Sequence, residues 1–108
     1  MKAQLLAWPD VQRARRDAGS RYHECLRATA LSAGLYVLAA GDADPQRPHA
    51  EDEVYYVTRG RGRLQAGADD FAVAAGSLVY VPAMLEHRFH TISEELEVLV
   101  FFAPAESA

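Results

Sequence analysis

The sequence predicts an all-β domain, a sandwich or barrel, with at most one short helix near its start. Two observations carry this expectation. From Arg21 onward, short runs rich in β-branched and aromatic residues follow one another, each closed by a turn signal. Within that series, Val54-Tyr55-Tyr56-Val57 and Val98-Leu99-Val100-Phe101-Phe102 are apolar on both strand faces, so each face must be covered. A chain of 108 residues makes one domain with a real core. The formal net charge of -4 argues against nucleic acid as a partner. One cysteine excludes an internal disulfide and fits a reducing compartment.

Residues 1–20 read as an N-terminal extension and residues 21–108 as the barrel domain. The first ten residues lack the apolar run of a signal peptide or membrane span, so no membrane partner is expected and the default location is the cytoplasm. Residues 10–18 are the one plausible helix, with Asp10 after Pro9 as its cap. Val11, Ala14 and Ala18 recur at helical spacing, and Gly19 can end it. Arg13, Arg15, Arg16 and Arg21 make this region basic. Without interleaved aromatic residues it reads as a solvated helix face, not a nucleic-acid arm.

Strands are expected at Tyr22 to Arg27, Leu31 to Ala39, Glu51 to Thr58, Gly62 to Gln65, Phe71 to Ala74, Ser77 to Val81, Glu86 to Ile92 and Leu96 to Phe102. Turns are expected at Gly41-Asp42-Ala43-Asp44-Pro45, at Arg59-Gly60-Arg61-Gly62, at Gly67 to Asp70, at Ala75-Gly76 and at Ser93-Glu94-Glu95. Cys25 falls within the first strand, where a buried, inert thiol is expected.

Chemistry concentrates in two stretches. In the first, Gln46 to Gly60, strand alternation puts His49, Glu51, Glu53, Tyr55 and Val57 on one face. In the second, Gly76 to His87, a Gly…Pro segment returns the chain and delivers another imidazole, His87. Two imidazoles and a carboxylate with positions left over form the donor set of many catalytic metal sites. A carboxylate buried without a partner is costly, so such a grouping calls for a cation or a protonated neighbour.

These stretches resemble the two motifs of the cupins, small β-barrel proteins of jelly-roll type. The first family motif reads Gly-x5-His-x-His-x(3 or 4)-Glu-x6-Gly, and the second Gly-x5-Pro-x-Gly-x2-His-x3-Asn. Glu53 and Gly60 fix the register of the first, so His49 falls on its second histidine and Arg47 on the place of its first. Gly76, Pro82 and His87 match the second, while Met84 replaces its internal glycine and Thr91 its asparagine. The resemblance implies a single-domain jelly-roll barrel holding one divalent metal ion (iron, zinc, manganese or nickel) through His49, Glu53 and His87. It implies an enzyme of dioxygenase, isomerase or lyase type acting on a small organic metabolite, one bearing a carboxylate among the candidates. The alternative is a non-catalytic module that binds a sugar or carboxylate.

Arg47 departs from the family pattern, because a guanidinium stays protonated and cannot be a ligand. Gln46, through its amide oxygen, or Glu51, through a second carboxylate, is available to complete the set. Arg47 either pairs with Glu51 or Asp44, or grips the carboxylate of a bound ligand. Tyr55 and Arg47 are the candidate catalytic groups. Arg47, Tyr36, Tyr55 and Met84 are the candidate substrate contacts, with Met84 and Leu85 as apolar wall at the rim. His90 and His23 read as surface and structural histidines. A homodimer is expected, with Val54, Tyr56, Leu99 and Phe101 on outer faces that a monomer leaves exposed.

Overall fold

Two long antiparallel strands, paired with each other along most of their length, organise the barrel. The computed structural model describes residues 2–107. Its elements are α1 (Trp8–Ala18), β1 (Tyr22–Arg27), β2 (Ser32–Leu38), β3 (Asp52–Ala66), β4 (Asp69–Ala74), β5 (Leu78–Val81) and β6 (His87–Ala103). The strand order is β1-β2-β6-β3-β4, with β5 also paired to β3. The first half of β3 lies between β6 and β5, and its second half between β6 and β4. Because β3 and β6 each bend partway along, the sheet folds over on itself into a jelly-roll barrel, the all-β class expected.

The bends explain why the described residues form six strands and not the eight expected. Arg59-Gly60-Arg61-Gly62 lies inside β3 and Ser93-Glu94-Glu95 inside β6, and neither is a turn. The β3–β6 register shifts between Val57 and Arg59, between Arg59 and Arg61, and between Arg61 and Arg63. Gly60 has φ 97°, and a Cβ there would overlap the Glu95 carbonyl of the facing strand. Only glycine lets the two backbones approach so closely at that bulge.

The helix also begins earlier than expected. Ala7 is its N-cap and provides no side-chain cap. Pro9 sits in the first turn, where its missing N–H costs nothing. Asp10 lies within that turn and pairs with Arg13 at 3.0 Å. Gly19 closes the helix in the left-handed conformation, φ 72°, and donates its N–H to the Arg15 and Arg16 carbonyls. Val11 packs with Leu35 and Val37 on the outer face of β2, with Trp8 and Cys25 alongside. Cys25, expected to be buried, is half-buried there; burial pushes its thiol up, and the thiol donates to the Ala33 carbonyl at 3.4 Å.

The alternating inner faces build the main core. Tyr55 and Val57 of β3, Val98 and Val100 of β6 and Leu64, Phe89 and Leu96 at the bent end are all buried. On the opposite face of the sheet, cross-strand rows run Leu99–Tyr56–Leu78 and Phe101–Val54–Tyr80, beyond the reach of α1. No helix among the described residues is long and apolar enough to cross a membrane.

Candidate metal centre

The loop between β2 and β3 runs beside the first half of β6 and delivers polar groups into one end of the barrel. Its anchor is Asp44, a buried carboxylate. One oxygen accepts from the Tyr36 hydroxyl, and the other accepts from the Phe89 N–H at 2.8 Å and from Gln46 Nε2 at 2.6 Å. A carboxylate only accepts, so this contact fixes the Gln46 amide with its oxygen turned the other way. His49 lies in the same loop, before β3 begins, and not on the strand as alternation suggested. The Met84 N–H donates to its carbonyl at 2.7 Å and ties the loop to the turn before β6.

Glu53 and Tyr55 come from the inner face of β3, and His87 is the first residue of β6. One ligand atom from each of His49, Glu53 and His87 lies within 4.8 Å of the others, and the last two residues are buried. Gln46 Oε1 joins them, at 3.3 Å from His49 Nε2 and 3.2 Å from His87 Nε2, and it accepts from the Tyr55 hydroxyl at 2.9 Å.

Both nitrogens of each imidazole face oxygens that only accept. His49 Nδ1 lies 3.3 Å from Glu106 Oε2, and His87 Nδ1 lies 2.8 Å from the Leu85 carbonyl. His87 Nε2 faces Glu53 Oε1 at 3.0 Å as well as Gln46 Oε1. A neutral imidazole carries one proton, so one nitrogen of each ring turns a lone pair toward an oxygen lone pair. Glu53 Oε1 is buried and accepts no hydrogen bond, although His87 Nε2 is within ion-pair distance. The two facts agree if Nδ1 of His87 carries the ring proton and donates it to Leu85.

Protons on Nδ1 of each ring and a cation among the two Nε2 atoms and the two oxygens would satisfy every group. The residues therefore fit a divalent metal. Their donor set is two imidazoles, one carboxylate and one amide oxygen, with the outer nitrogens oriented by Glu106 and Leu85. Without a metal the only remedy is a second proton. Burial pulls the His87 pKa down, but Glu53, the Leu85 carbonyl and Asp44 outweigh it and hold the imidazole above its ordinary value.

Two cavities meet at Gln46. The inner one, about 210 Å³, reaches His49, Glu53 and Tyr55 and is walled by Tyr22, Tyr36 and Phe102. The outer basin, about 680 Å³, runs past Arg47, Gln65, His87 and Arg88. Tyr36 and Tyr55 thus border the inner cavity, and Arg47 is exposed on the outer one. Met84 lines neither cavity and is exposed at the turn, where its backbone, not its side chain, serves the site.

Glu51 is buried away from Arg47 and accepts from the Ser107 N–H and hydroxyl at 3.1 and 2.8 Å. With Asp44 bonded as described, neither carboxylate suggested as a partner for Arg47 holds it. His90 is a partly exposed partner of Asp70 at 3.0 Å. Tyr22 and Glu106 at the inner cavity carried no signal in the sequence, because they arrive from β1 and from the C-terminal tail.

Known proteins supply an independent comparison. A model of the cupin domain matches residues 34–103. An uncharacterized protein of Streptomyces coelicolor is 50% identical over 107 residues, which make up 99% of this chain and 100% of that one. A cupin 2 conserved barrel domain protein from Rhodopseudomonas palustris superposes with TM-score 0.70 at 21% identity, over 84% of this chain and 68% of that one. The DMSP lyase of Ruegeria pomeroyi does so with TM-score 0.69 at 20% identity, over 81% of this chain and 49% of that one. Motif spacing, barrel and family model agree, and the chain belongs to the cupin family.

Proposed function

We propose that this cupin is a metal-dependent enzyme acting on a small organic metabolite held beside His49, Glu53 and His87. One observation carries the reading: four lone-pair-bearing atoms, from those three residues and Gln46, converge with a single hydroxyl donor among them. A divalent ion there supplies Lewis-acid or oxygen-activating chemistry, and iron, zinc, manganese and nickel all accept such donors.

The surrounding residues divide the remaining work. Glu53 offsets cationic charge at a buried position. Tyr55, pushed well up by burial and by Glu53, keeps its proton and holds the Gln46 oxygen in place, so it acts as a donor and not a base. Tyr36 does the same for Asp44. Tyr22, Tyr36 and Phe102 give the inner cavity largely apolar walls. Arg47, unheld by Glu51 or Asp44, offers its planar fork to a carboxylate in the outer basin.

That last feature also favours a second reading, a binding module for a carboxylate-bearing molecule without turnover. Metal analysis of the purified protein separates the two. Near-stoichiometric iron, manganese, nickel or zinc supports the enzyme. A stable barrel that takes up none of these ions supports the binding module. On either reading, Arg47→Lys should weaken binding of small carboxylates while leaving metal content intact, since lysine lacks the fork.

A further inference from the structure

Among the described residues, Arg16, Arg47 and Arg88 are the arginines with no ion pair and no side-chain hydrogen bond. Each of the others meets a carboxylate or, for Arg15, the Ser20 carbonyl. Arg16 lies on α1, whereas Arg47 and Arg88 line the same outer basin beside Gln46. Gln65 lines it too, directly opposite Arg88 in the β3–β6 pairing, and its amide is equally unpartnered. Residues opposite one another in an antiparallel pair stand about 5 Å apart at Cβ, so one ligand group can meet both.

The two guanidinia are mounted on fixed backbone. Arg47 lies between Pro45 and Pro48, in a loop pinned on one side by the Asp44 carboxylate. On the other side the Met84 N–H holds the His49 carbonyl at 2.7 Å. Arg88 is the second residue of β6. Two like charges on one basin repel unless an anion lies between them. The basin's own carboxylates do not fill that role. Asp44 turns its oxygens to Tyr36, Gln46 and the Phe89 N–H, and Glu86 pairs with neither arginine.

We infer that the ligand of the outer basin is a small dicarboxylate, with one carboxylate held by Arg47 and the other by Arg88 together with Gln65. Arg47 keeps the role given it under the proposed function, on which this inference rests, and Arg88 with Gln65 forms a second anion contact. A planar fork favours a flat carboxylate through two parallel hydrogen bonds. Two groups and not one follow from the placement of the forks, one on the loop and one on the strand. The basin, about 680 Å³, has room for a metabolite of several carbons between them.

The test titrates the protein with malonate, succinate, glutarate and adipate, and with the monomethyl ester of each, which removes one charge. Dissociation constants are measured by NMR at constant ionic strength on the wild-type protein, Arg88→Gln and Arg47→Gln, metal-free and after loading with Zn²⁺. In the wild-type protein at least one diacid should bind about tenfold more tightly than its monoester, the gain expected for one charge-assisted contact. Arg88→Gln should bring that ratio close to one with little change in monoester affinity. Arg47→Gln should weaken diacid and monoester alike. Both side chains are exposed, so neither substitution disturbs the core. Equal affinity for diacid and monoester in the wild-type protein overturns the inference, as does a preference that survives Arg88→Gln or binding that is unchanged in Arg47→Gln. Inorganic phosphate binding as tightly as the best diacid overturns it too, because both forks would then close on one group. Failure to load zinc counts against the proposed function alone, because the ratio in the metal-free protein still decides the role of Arg88.

Discussion

At the scale of single residues, His87 answers to a proton and to a metal with opposite signs. In the metal-free protein its pKa is held above the ordinary value of 6.5. A raised folded pKa contributes stability that is fully present below the unfolded value and is lost as pH rises through the folded value. The unfolding free energy of the metal-free protein, measured by urea titration, should therefore fall as pH rises above about 6.5, by at most about 1.4 kcal/mol per pH unit. His87→Gln should flatten that dependence, and an unchanged slope would remove His87 as its source. Metal affinity should run the other way, rising with pH as the imidazoles lose their competing protons. Glu106 acts one step further out, through His49 Nδ1. Glu106→Ala should cut metal affinity about 10- to 100-fold, and Glu106→Gln, which keeps an accepting oxygen, should recover most of it. Equal affinity in both variants would show that the tail does not orient His49.

At the scale of elements, the barrel depends on the bulges that let β3 and β6 bend together. Gly60→Ala combines a positive φ with an overlap on the Glu95 carbonyl and should cost on the order of 2 kcal/mol or more. Gly76→Ala has a similar φ of 96° but open space around it, so it should cost only about 1 kcal/mol. Denaturant midpoints that moved equally would mean that close approach at Gly60 is not what fixes the bend. The same residues show where sequence reading stops. Gly60 and the acidic run near Glu94 carry the chemistry of a turn, and only long-range pairing between β3 and β6 makes them bulges. Periodicity sufficed for the fold class, for the inward faces of Glu53 and Tyr55, and for the outward face of Tyr56. His49 was legible through its motif spacing, although its loop position was not, because alternation holds only within a strand. Gln46 was visible as one of two available oxygens, and the fixed orientation of its amide required Asp44, whose position the loop sets. Tyr22 and Glu106 reach the site from opposite ends of the chain, a meeting that no local pattern encodes.

At the scale of the whole molecule, an apolar sheet face and a polar centre lie on separate parts of the barrel and carry separate predictions. Leu78, Tyr80, Tyr56 and Phe101 remain 70%, 59%, 41% and 38% exposed, in adjacent cross-strand rows, on a face where α1 packs over β1 and β2 and reaches β6 through Gln12 and Glu97. A homodimer joined through this face is the expected state in solution, because a contiguous apolar patch of this kind is uncommon on a monomer. Sedimentation at micromolar concentration should give twice the chain mass, and Tyr56→Lys with Tyr80→Lys should give a monomer; a wild-type monomer would contradict the dimer. The polar centre carries the central claim, that His49, Glu53 and His87 together hold one divalent ion. Titration of the metal-free protein with Co²⁺, followed by visible absorbance, tests it most directly. One ion per chain should bind, with affinity strongly reduced in each of His49→Ala, Glu53→Ala and His87→Ala. Wild-type stoichiometry and affinity in all three variants would contradict the assignment.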